Sequence, residues 1–354
     1  MIEIIRIDNA ERWDKLVKSF SAHDVYYLSG YVKAFQIHGD GEPLLFYYHT
    51  NDLSGICVMM KRDIAKDPNF RNKIPENTYF DIITPYGYGG FIFEGNVSAE
   101  NIAIFDKSYR ALLQSENIIS VFVRFHPQLE NSNVLREVSE VIDLGKTIEM
   151  DLSTEELIWQ NISSKNRNVI RGAEKKGVVI KKGKSIELFS KFIEIYNSTM
   201  QKDNAELYYY FSNEFYNSIH NDLYNHYDMY YAEFEGEIIA MSIILYANGR
   251  IHYHLSGSVF KYRNLAPTNL LLYMVALWGA ENGYKTFHLG GGVGSGEDGL
   301  FKFKKAFNRN SGLQFSISKQ VIKHEIYDEL VKIRTVQSSD FDLQCGFFPL
   351  YRAD

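Results

Sequence analysis

The chain has 354 residues, of which 45% are hydrophobic and 23% charged, a composition that excludes collagen-like, disordered and disulfide-scaffold proteins. The length predicts two domains of ordinary size. A net charge of −6 argues against a protein that coats nucleic acid, so DNA is not expected as a partner. The two cysteines are distant and form no C-x-x-C pair, which predicts neither a disulfide framework nor a metal site and fits a reducing compartment.

The N-terminal sequence lacks the basic and apolar segments of a secretion signal. The longest apolar stretch, Ile238 to Ala247, is too short to cross a bilayer. We therefore expect a cytoplasmic protein without an integral membrane segment. Peripheral membrane contact is left open.

The first half is predicted to be α+β. A strand near residues 3–7 precedes a helix with a one-sided apolar face, and strands over 44–49 and 56–60 form a hairpin. A glycine-rich stretch, Thr84 to Gly90, follows. A helix over 98–116 then leads into an apolar strand that ends in Arg124-Phe125-His126-Pro127.

A domain boundary is predicted between Val141 and Asp151, because a strand there is followed by a capping box that begins at Ser153. We predict a first domain over 1–145 and a second over 146–315, with the segment 316–354 packing on the first. Residues 161–184 carry eight lysines and arginines against one acid, Glu174. This basic helix-and-turn is either a solvated face or a phosphate-binding surface.

The second half continues with a predicted meander of three strands over 229–234, 237–246 and 250–256, whose last turn is Asn248-Gly249. An apolar helix over 269–281 and a strand over 285–289 follow. This order predicts a mixed sheet with one crossover helix.

The stretch from Gly290 to Leu300 leaves the end of that last strand, where ligands bind in α/β sheets, and six of its eleven residues are glycine. It matches no dinucleotide or phosphate-loop motif, so a flexible surface loop is the alternative. A short helix with three lysines, Lys302, Lys304 and Lys305, comes directly after it. Free backbone N–H groups beside lysines could hold an anion or a developing oxyanion.

Together these segments resemble the Fem peptidyltransferases and the related FemAB-like acyltransferases of the GNAT superfamily. The segments that carry the resemblance are Asn166–Gly177, Tyr196–Met200, Leu289–Gly292, Phe303–Phe307, Thr84–Gly90 and Arg124–Pro127. The resemblance extends over most of the chain and implies an α+β fold of two GNAT-like domains, with mixed sheets flanked by helices.

The resemblance also implies an acyltransferase that moves an acyl or aminoacyl group to an amine of a cell-envelope precursor or amino sugar. Fem enzymes take the aminoacyl group from aminoacyl-tRNA and build peptidoglycan cross-bridges. The expected donor is therefore aminoacyl-tRNA, a carrier-bound acyl group or acyl-CoA, with no tightly bound cofactor. The expected partners are a small-molecule or sugar-nucleotide acceptor and tRNA.

Four residues are candidate catalytic groups. Lys304 falls on the functional lysine of the family's Phe-Lys-x-x-Phe segment and would stabilise the oxyanion. The general base is left open between His126 and the acids Glu297 and Asp298 of the glycine loop.

The other candidates are expected to bind substrate. Lys33 falls on the family's acceptor-binding lysine. Lys202 stands where the family often has an arginine, and a lysine cannot bind an anionic acceptor bidentately as a guanidinium does. Tyr253 could hydrogen-bond substrate from its strand. The full substrate-binding set is Lys33, Tyr86, Arg124, Arg167, Arg171, Lys202, Tyr253, Gly291, Gly292 and Lys305.

The turn over 262–268 indicates which donor the protein uses. GNAT acetyltransferases hold the CoA pyrophosphate on a glycine-containing turn, but this turn has no glycine and Pro267 removes an N–H donor. A donor other than CoA is favoured. The alternatives are an acetyl-CoA-dependent N-acetyltransferase and a non-catalytic GNAT-like binding protein.

Overall fold

The structure, a computed structural model, describes residues 1–338 and 340–353. The chain divides into two compact units. Unit 1 contains Met1–Leu144 and the chain from Phe315 onward, and unit 2 contains Gly145–Gln314. The sequence-based boundaries, 145/146 and 315/316, each lie one residue from these divisions.

Within the described residues the chain forms strands and helices in the following order. The strands are β1 (Ile2–Arg6), β2 (Glu42–His49), β3 (Leu53–Asp63), β4 (Phe80–Ile83), β5 (Ile92–Gly95), β6 (Ile118–Arg124), β7 (Ile142–Asp151), β8 (Val179–Gly183), β9 (Tyr227–Phe234), β10 (Glu237–Ala247), β11 (Arg250–Ser258), β12 (Thr286–Gly290) and β13 (Leu313–Val321). The helices are α1 (Ala10–Ser19), α2 (Ser29–His38), α3 (Ala99–Ser115), α4 (Glu155–Asn161), α5 (Ser164–Lys175), α6 (Ile186–Lys202), α7 (Asn213–Asp222), α8 (Pro267–Glu281), α9 (Gly299–Lys305) and α10 (His324–Gln337).

Unit 1 contains a mixed sheet in the order β1-β2-β3-β4-β6-β13, with β5 paired to β3. The β4–β6 pair is parallel and its neighbours are antiparallel. Helix α3 buries Ile102, Phe105, Tyr109 and Leu113, which recur at helical spacing. These side chains pack in one core cluster with residues of β2, β3 and β6.

Unit 2 contains a second mixed sheet, in the order β7-β12-β11-β10-β9-β8. Only β11 and β12 are parallel within it, and α8 is the crossover helix between them. Helix α8 begins with Pro267, whose missing N–H costs nothing in the first helical turn. Its Gly279 lets the helix approach the sheet, because a Cβ there would lie 2.6 Å from Ile251 and 2.7 Å from Leu152.

The structure corrects the prediction of a basic helix-and-turn over 161–184. Helix α5 ends at Lys175, and Gly177 follows with a φ of +90°. The β-branched residues Val178, Val179 and Ile180 then favour an extended chain. Residues Val179–Gly183 accordingly form β8, which pairs antiparallel with β9.

Five other elements were absent from the sequence-based interpretation. Helix α2 is buried on most sides, so its apolar residues show no one-sided periodicity. The remaining four are short or lie in mixed sequence, namely β4, β5, α7 and β13. Among the described residues, no helix combines the length and apolarity that crossing a bilayer requires.

Candidate active site

The neighbouring parallel strands β11 and β12 of unit 2 separate toward their C-terminal ends, where the sequence analysis places the ligand site. Strands β11 and β12 are paired over three residues, Arg250–His252 against Thr286–His288. Strand β11 continues to Ser258 and β12 to Gly290, but the described ladder between them stops at His252 and His288. This leaves an opening in the sheet next to the residue where the glycine loop begins.

The glycine loop, residues 291–298, connects β12 to α9 and is held by its own hydrogen bonds. The N–H of Gly296 donates to the carbonyl of Val293 at 3.1 Å. The N–H of Val293 donates to Oδ2 of Asp298 at 3.3 Å, and the N–H of Phe301 donates to Oδ1 at 2.8 Å. The expectation that the loop N–H groups are free is therefore wrong for Val293 and Gly296.

Lys304 lies on α9 with only 8% of its surface exposed. Its Nζ donates a hydrogen bond to the carbonyl oxygen of Gly291 at 2.7 Å. Burial lowers the pKa of Lys304 to about 8, while the negative charge of Asp298 acts in the opposite direction. The structure thus places a desolvated ammonium group at the first residue of the glycine loop.

The other predicted residues of this segment have different surroundings. Glu297 is exposed. The Nζ of Lys305 donates to the carbonyl of Ser311, which ties the end of α9 to the next turn. Gly292 has no room for a side chain, because a Cβ there would collide with the carbonyl of Gly296 and with Asp298.

The two predicted arginines of α5 differ in their contacts. Arg167 donates from Nη1 to the carbonyls of Trp159 at 3.1 Å and Ile162 at 2.9 Å, at the C-terminal end of α4. Arg171 is exposed and lies 4.9 Å from the centre of the Trp159 ring. Arg167 therefore stabilises a helix end, whereas the guanidinium of Arg171 faces solvent over an aromatic ring.

Lys202 and Tyr253 also lie in unit 2. Lys202 is exposed at the end of α6, 3.1 Å from Asp203 and 5.6 Å from the centre of the Phe260 ring. Burial raises the pKa of Tyr253, while the hydroxyl groups of Ser256 and Ser242 act in the opposite direction. The Tyr253 hydroxyl is thus desolvated.

In unit 1, predicted residues gather around the glycine-rich stretch 84–90. Arg124 donates from Nη2 to the carbonyls of Thr84 at 2.7 Å and Pro85 at 3.1 Å. Tyr86 stacks on Phe35 of α2 at 5.6 Å. Lys33 is exposed on the same helix. Arg124 therefore shapes the stretch that carries Tyr86.

His126 is fully buried at the end of β6. Its Nε2 lies 3.5 Å from Oδ2 of Asp24, which is also fully buried. The Oδ1 of Asn131 accepts a hydrogen bond from the backbone N–H of His126 at 3.0 Å, and the Asn131 amide donates to the carbonyl of Gly89 at 2.9 Å. A histidine oriented by a carboxylate has the arrangement that general-base catalysis uses.

Several backbone N–H groups in the turn before α8 and in the first turn of α8 are engaged. The N–H of Ala266 donates to Arg263, and the N–H groups of Asn269 and Leu270 donate to Ala266. Pro267 has no N–H. A cavity of about 360 Å³ lies between this turn and α5. Its polar lining comprises Lys165, Asn168, Lys176 and Asn264.

The structure thus brings together Lys304, Gly291, Gly292, Lys305 and Glu297 on the glycine loop and α9 of unit 2. It brings Tyr86, Arg124 and His126 together in unit 1. Sequence reasoning missed Asp24 and Asn131, since no local pattern marks either one. It named Asp298 only as a candidate base, although an Asp before a short helix is a capping signal.

Comparison with known proteins agrees with this geometry. Residues 163–305 match a family model described as an acetyltransferase (GNAT) domain. This range contains α5, the meander, the opening between β11 and β12, and Lys304. No curated protein matches the sequence.

Solved structures resemble the chain over most of its length. FemX has a TM-score of 0.67 and 13% identity, covering 92% of this chain and 99% of that one. The fold is of the GNAT type. L-PGS from Bacillus licheniformis has a TM-score of 0.55 and 14% identity over 88% of this chain and 91% of its own. The C-terminal domain of a putative lysylphosphatidylglycerol synthetase from Agrobacterium fabrum has a TM-score of 0.54 and 11% identity, covering 92% of this chain and 96% of its own.

These findings confirm the predicted resemblance to FemAB-like proteins of the GNAT superfamily and the fold of mixed sheets flanked by helices. The acetyltransferase description of the matching model agrees with the prediction of an acyltransferase. The opening between β11 and β12 lies within the matched range.

Proposed function

We propose that the chain is an N-acyltransferase or aminoacyltransferase of FemAB-like type that acts on an amine of a cell-envelope precursor or amino sugar. The observation that carries the proposal is Lys304, a desolvated ammonium group beside the glycine loop where β11 and β12 separate. The matched GNAT domain and the fold similarity to FemX support it.

The reaction forms a bond between the acceptor nitrogen and the carbonyl carbon of the donor, and it breaks the bond from that carbon to the leaving oxygen or sulfur. Negative charge develops on the carbonyl oxygen in between. A buried cation stabilises such charge more strongly than an exposed one, because little water screens it. We assign this role to Lys304, and we propose that the proton of the attacking amine leaves to Glu297 of the glycine loop.

The donor we favour is aminoacyl-tRNA or another carrier-bound acyl group. The turn over 262–268 and the first turn of α8 support this choice, because the N–H groups of Ala266, Asn269 and Leu270 are engaged and Pro267 has none. Lys165, Arg171 and Lys176 are exposed on and after α5 and offer positive charge to phosphates. An acetyl-CoA-dependent enzyme is the second candidate, since the cavity beside this turn contains two lysines.

Thermal unfolding of the full chain with acetyl-CoA, CoA, a nucleotide-linked amino sugar and aminoacyl-tRNA tests the donor. A ligand that binds the folded state raises the midpoint. We expect a rise with aminoacyl-tRNA or the amino sugar and none with CoA. A rise with CoA would make acetyl transfer the leading reaction.

Turnover of the ligands that bind then separates an enzyme from a binding protein. Lys304→Ala should lose turnover and keep acceptor binding. Lys302→Ala is the matched control, because Lys302 is exposed on the same helix. Ligand binding without product in the parent chain would identify a non-catalytic binding protein.

A further inference from the structure

The stretch of β11 that has no described pairing with β12 ends at Ser258. On its other side this stretch stays paired with β10, where Ser258 lies opposite Ala240. The N–H of the next residue, Val259, donates to the carbonyl of Ile239 at 2.9 Å. Because successive N–H groups along a strand point to alternate sides, the N–H of Ser258 points away from β10. It therefore faces the side of β11 on which β12 lies earlier along the strand.

The side chain of Thr199 on α6 binds this part of the backbone. Its Oγ1 accepts the N–H of Ser258 at 3.0 Å. The hydroxyl group also has two acceptors within reach, the carbonyl oxygen of Ile195 at 2.9 Å in the preceding helical turn and that of Ser258 at 3.4 Å. At Ser258 a side-chain hydroxyl thus takes the place that a neighbouring strand holds earlier along β11.

Gly257 lets α6 lie close enough to β11 for this contact. A Cβ at Gly257 would lie 2.8 Å from the carbonyl oxygen of Ile195 and 2.8 Å from the Cα of Tyr196, so a side chain there would push the helix away. Thr199 follows Ile195 by one helical turn and is itself partly buried. Its position against β11 is therefore fixed by backbone packing as well as by its own hydrogen bonds.

Two side chains therefore hold the two sides of the opening between β11 and β12. Lys304 binds the carbonyl of Gly291 at 2.7 Å, directly after the end of β12, and Thr199 binds the end of β11. We propose that Thr199 is a positioning residue for the acyl transfer, which fixes the end of β11 and so the width of the opening beside Lys304. The kinetic part rests on the proposed function. The contact between Thr199 and Ser258 is measurable without substrate.

Amide hydrogen exchange of the full chain, read residue by residue by NMR, tests this contact. Thr199→Val removes the hydroxyl group and keeps the branched shape of the side chain. We expect the Ser258 amide to exchange about 10-fold faster, because it loses its acceptor. The Val259 amide should keep its parent rate, because its acceptor is Ile239 of β10.

The kinetic readout is kcat with a donor that binds, measured well below the unfolding midpoint. The kcat of Thr199→Val should fall about 10-fold, because a displaced β11 misplaces the donor relative to Lys304. Thr199→Ser keeps a hydroxyl group and should restore both the slow exchange of Ser258 and kcat. Thr199→Ala, whose new residue favours helices, replaces Thr199→Val if that variant does not fold.

Thr154→Val is the matched control. The Oγ1 of Thr154 accepts the N–H of Leu157 at 3.1 Å, so the same substitution removes the same kind of hydrogen bond from the same unit. It should lower the unfolding midpoint by a similar amount. It should leave the exchange rate of Ser258 and kcat unchanged.

An unchanged exchange rate of Ser258 in the variants without the hydroxyl group would overturn the proposal. Equal acceleration at Val259 would also overturn it, because the end of β11 would then unfold as a whole. A normal kcat despite faster exchange at Ser258 would do the same. If the parent chain shows no turnover with any donor, the proposed function fails, while the exchange experiment still decides whether Thr199 fixes the end of β11.

Discussion

Arg352 donates a hydrogen bond from Nε to Oδ2 of Asp81 at 2.6 Å, although 271 positions separate them in the sequence. Asp81 is fully buried and also accepts bonds from Arg62 at 2.5 Å and from the Tyr351 hydroxyl at 3.0 Å. This cluster fastens the C-terminal residues to β4, which lies inside the sheet of unit 1.

The first prediction concerns the strength of this attachment. Arg352→Ala should lower the free energy of unfolding by about 3–5 kcal/mol, because it removes one partner of a buried ion pair. The measurement is the denaturant midpoint of the full chain. Arg136→Ala is the control, since its pair with Asp143 is solvent-exposed and should cost at most about 1 kcal/mol. Equal effects of the two substitutions would contradict the prediction.

The second prediction is a pH dependence. Burial alone would raise the pKa of Asp81, but Arg62 and Arg352 together lower it below its ordinary value of 3.8. At pH values between the pKa of Asp81 in the folded chain and its ordinary value, the unfolded chain therefore binds more protons than the folded chain. The stability that Asp81 contributes is complete above about pH 5 and is lost as the pH falls. Asp81→Asn should flatten this acid-side fall in melting temperature. An unchanged slope would show that other carboxylates cause it.

The third prediction concerns the pH profile of turnover. A pKa of about 8 for Lys304 means that its positive charge is lost as the pH rises through that value. If the charge stabilises the oxyanion, kcat should decrease above about pH 8. Lys304→Arg, which stays charged, should move or abolish this decrease. A kcat that rises through pH 8 would instead indicate that neutral Lys304 acts as a base.

The fourth prediction tests the closure of the glycine loop. Gly292→Ala should reduce turnover by about 10- to 100-fold, because the added methyl group pushes the loop away from Asp298 and misplaces Lys304. Gly296→Ala is the matched change. Its φ is −82° and the nearest atom to an added Cβ is 3.5 Å away, so it should keep most activity. Similar losses in both variants would count against a specific role for the space beside Gly292.

The fifth prediction separates the two arginines of α5. Arg167→Ala should destabilise the protein by about 1–3 kcal/mol, because it leaves carbonyls at the end of α4 without their donor. Arg171→Ala should leave the melting temperature nearly unchanged. If tRNA is the donor, the Arg171 variant should bind it more weakly and with a smaller salt dependence. If that variant binds tRNA with wild-type affinity, Arg171 does not contribute to tRNA binding.

The elements with strong local signals could be predicted from the sequence. The Asn248-Gly249 turn is one example, since both residues have positive φ and the flanking Ala247 and Arg250 are paired. The position of Lys304 after the glycine loop is another. In both cases the residues that determine the structure lie within a few positions of each other.

The relationships between distant residues could not be predicted. Asp24 and His126 meet across 102 positions, and neither neighbouring sequence indicates a partner. Strand β8 was not predicted, because its lysines made the segment resemble a continuation of the basic helix. The engagement of Lys304 with Gly291 depends on how the loop folds back on α9, which composition does not reveal.

The discontinuity of unit 1 has a consequence for synthesis. Strand β13 pairs with β6, and the Tyr351 hydroxyl is hydrogen-bonded to the hydroxyl of Ser120 on β6 at 2.9 Å. Unit 1 therefore needs residues beyond 314 to complete its sheet and core. Unit 2 is encoded without interruption. On the ribosome, residues 145–314 can therefore fold as a unit before the chain is finished, while the earlier-made residues 1–144 keep one edge of β6 unpaired until β13 has been synthesised.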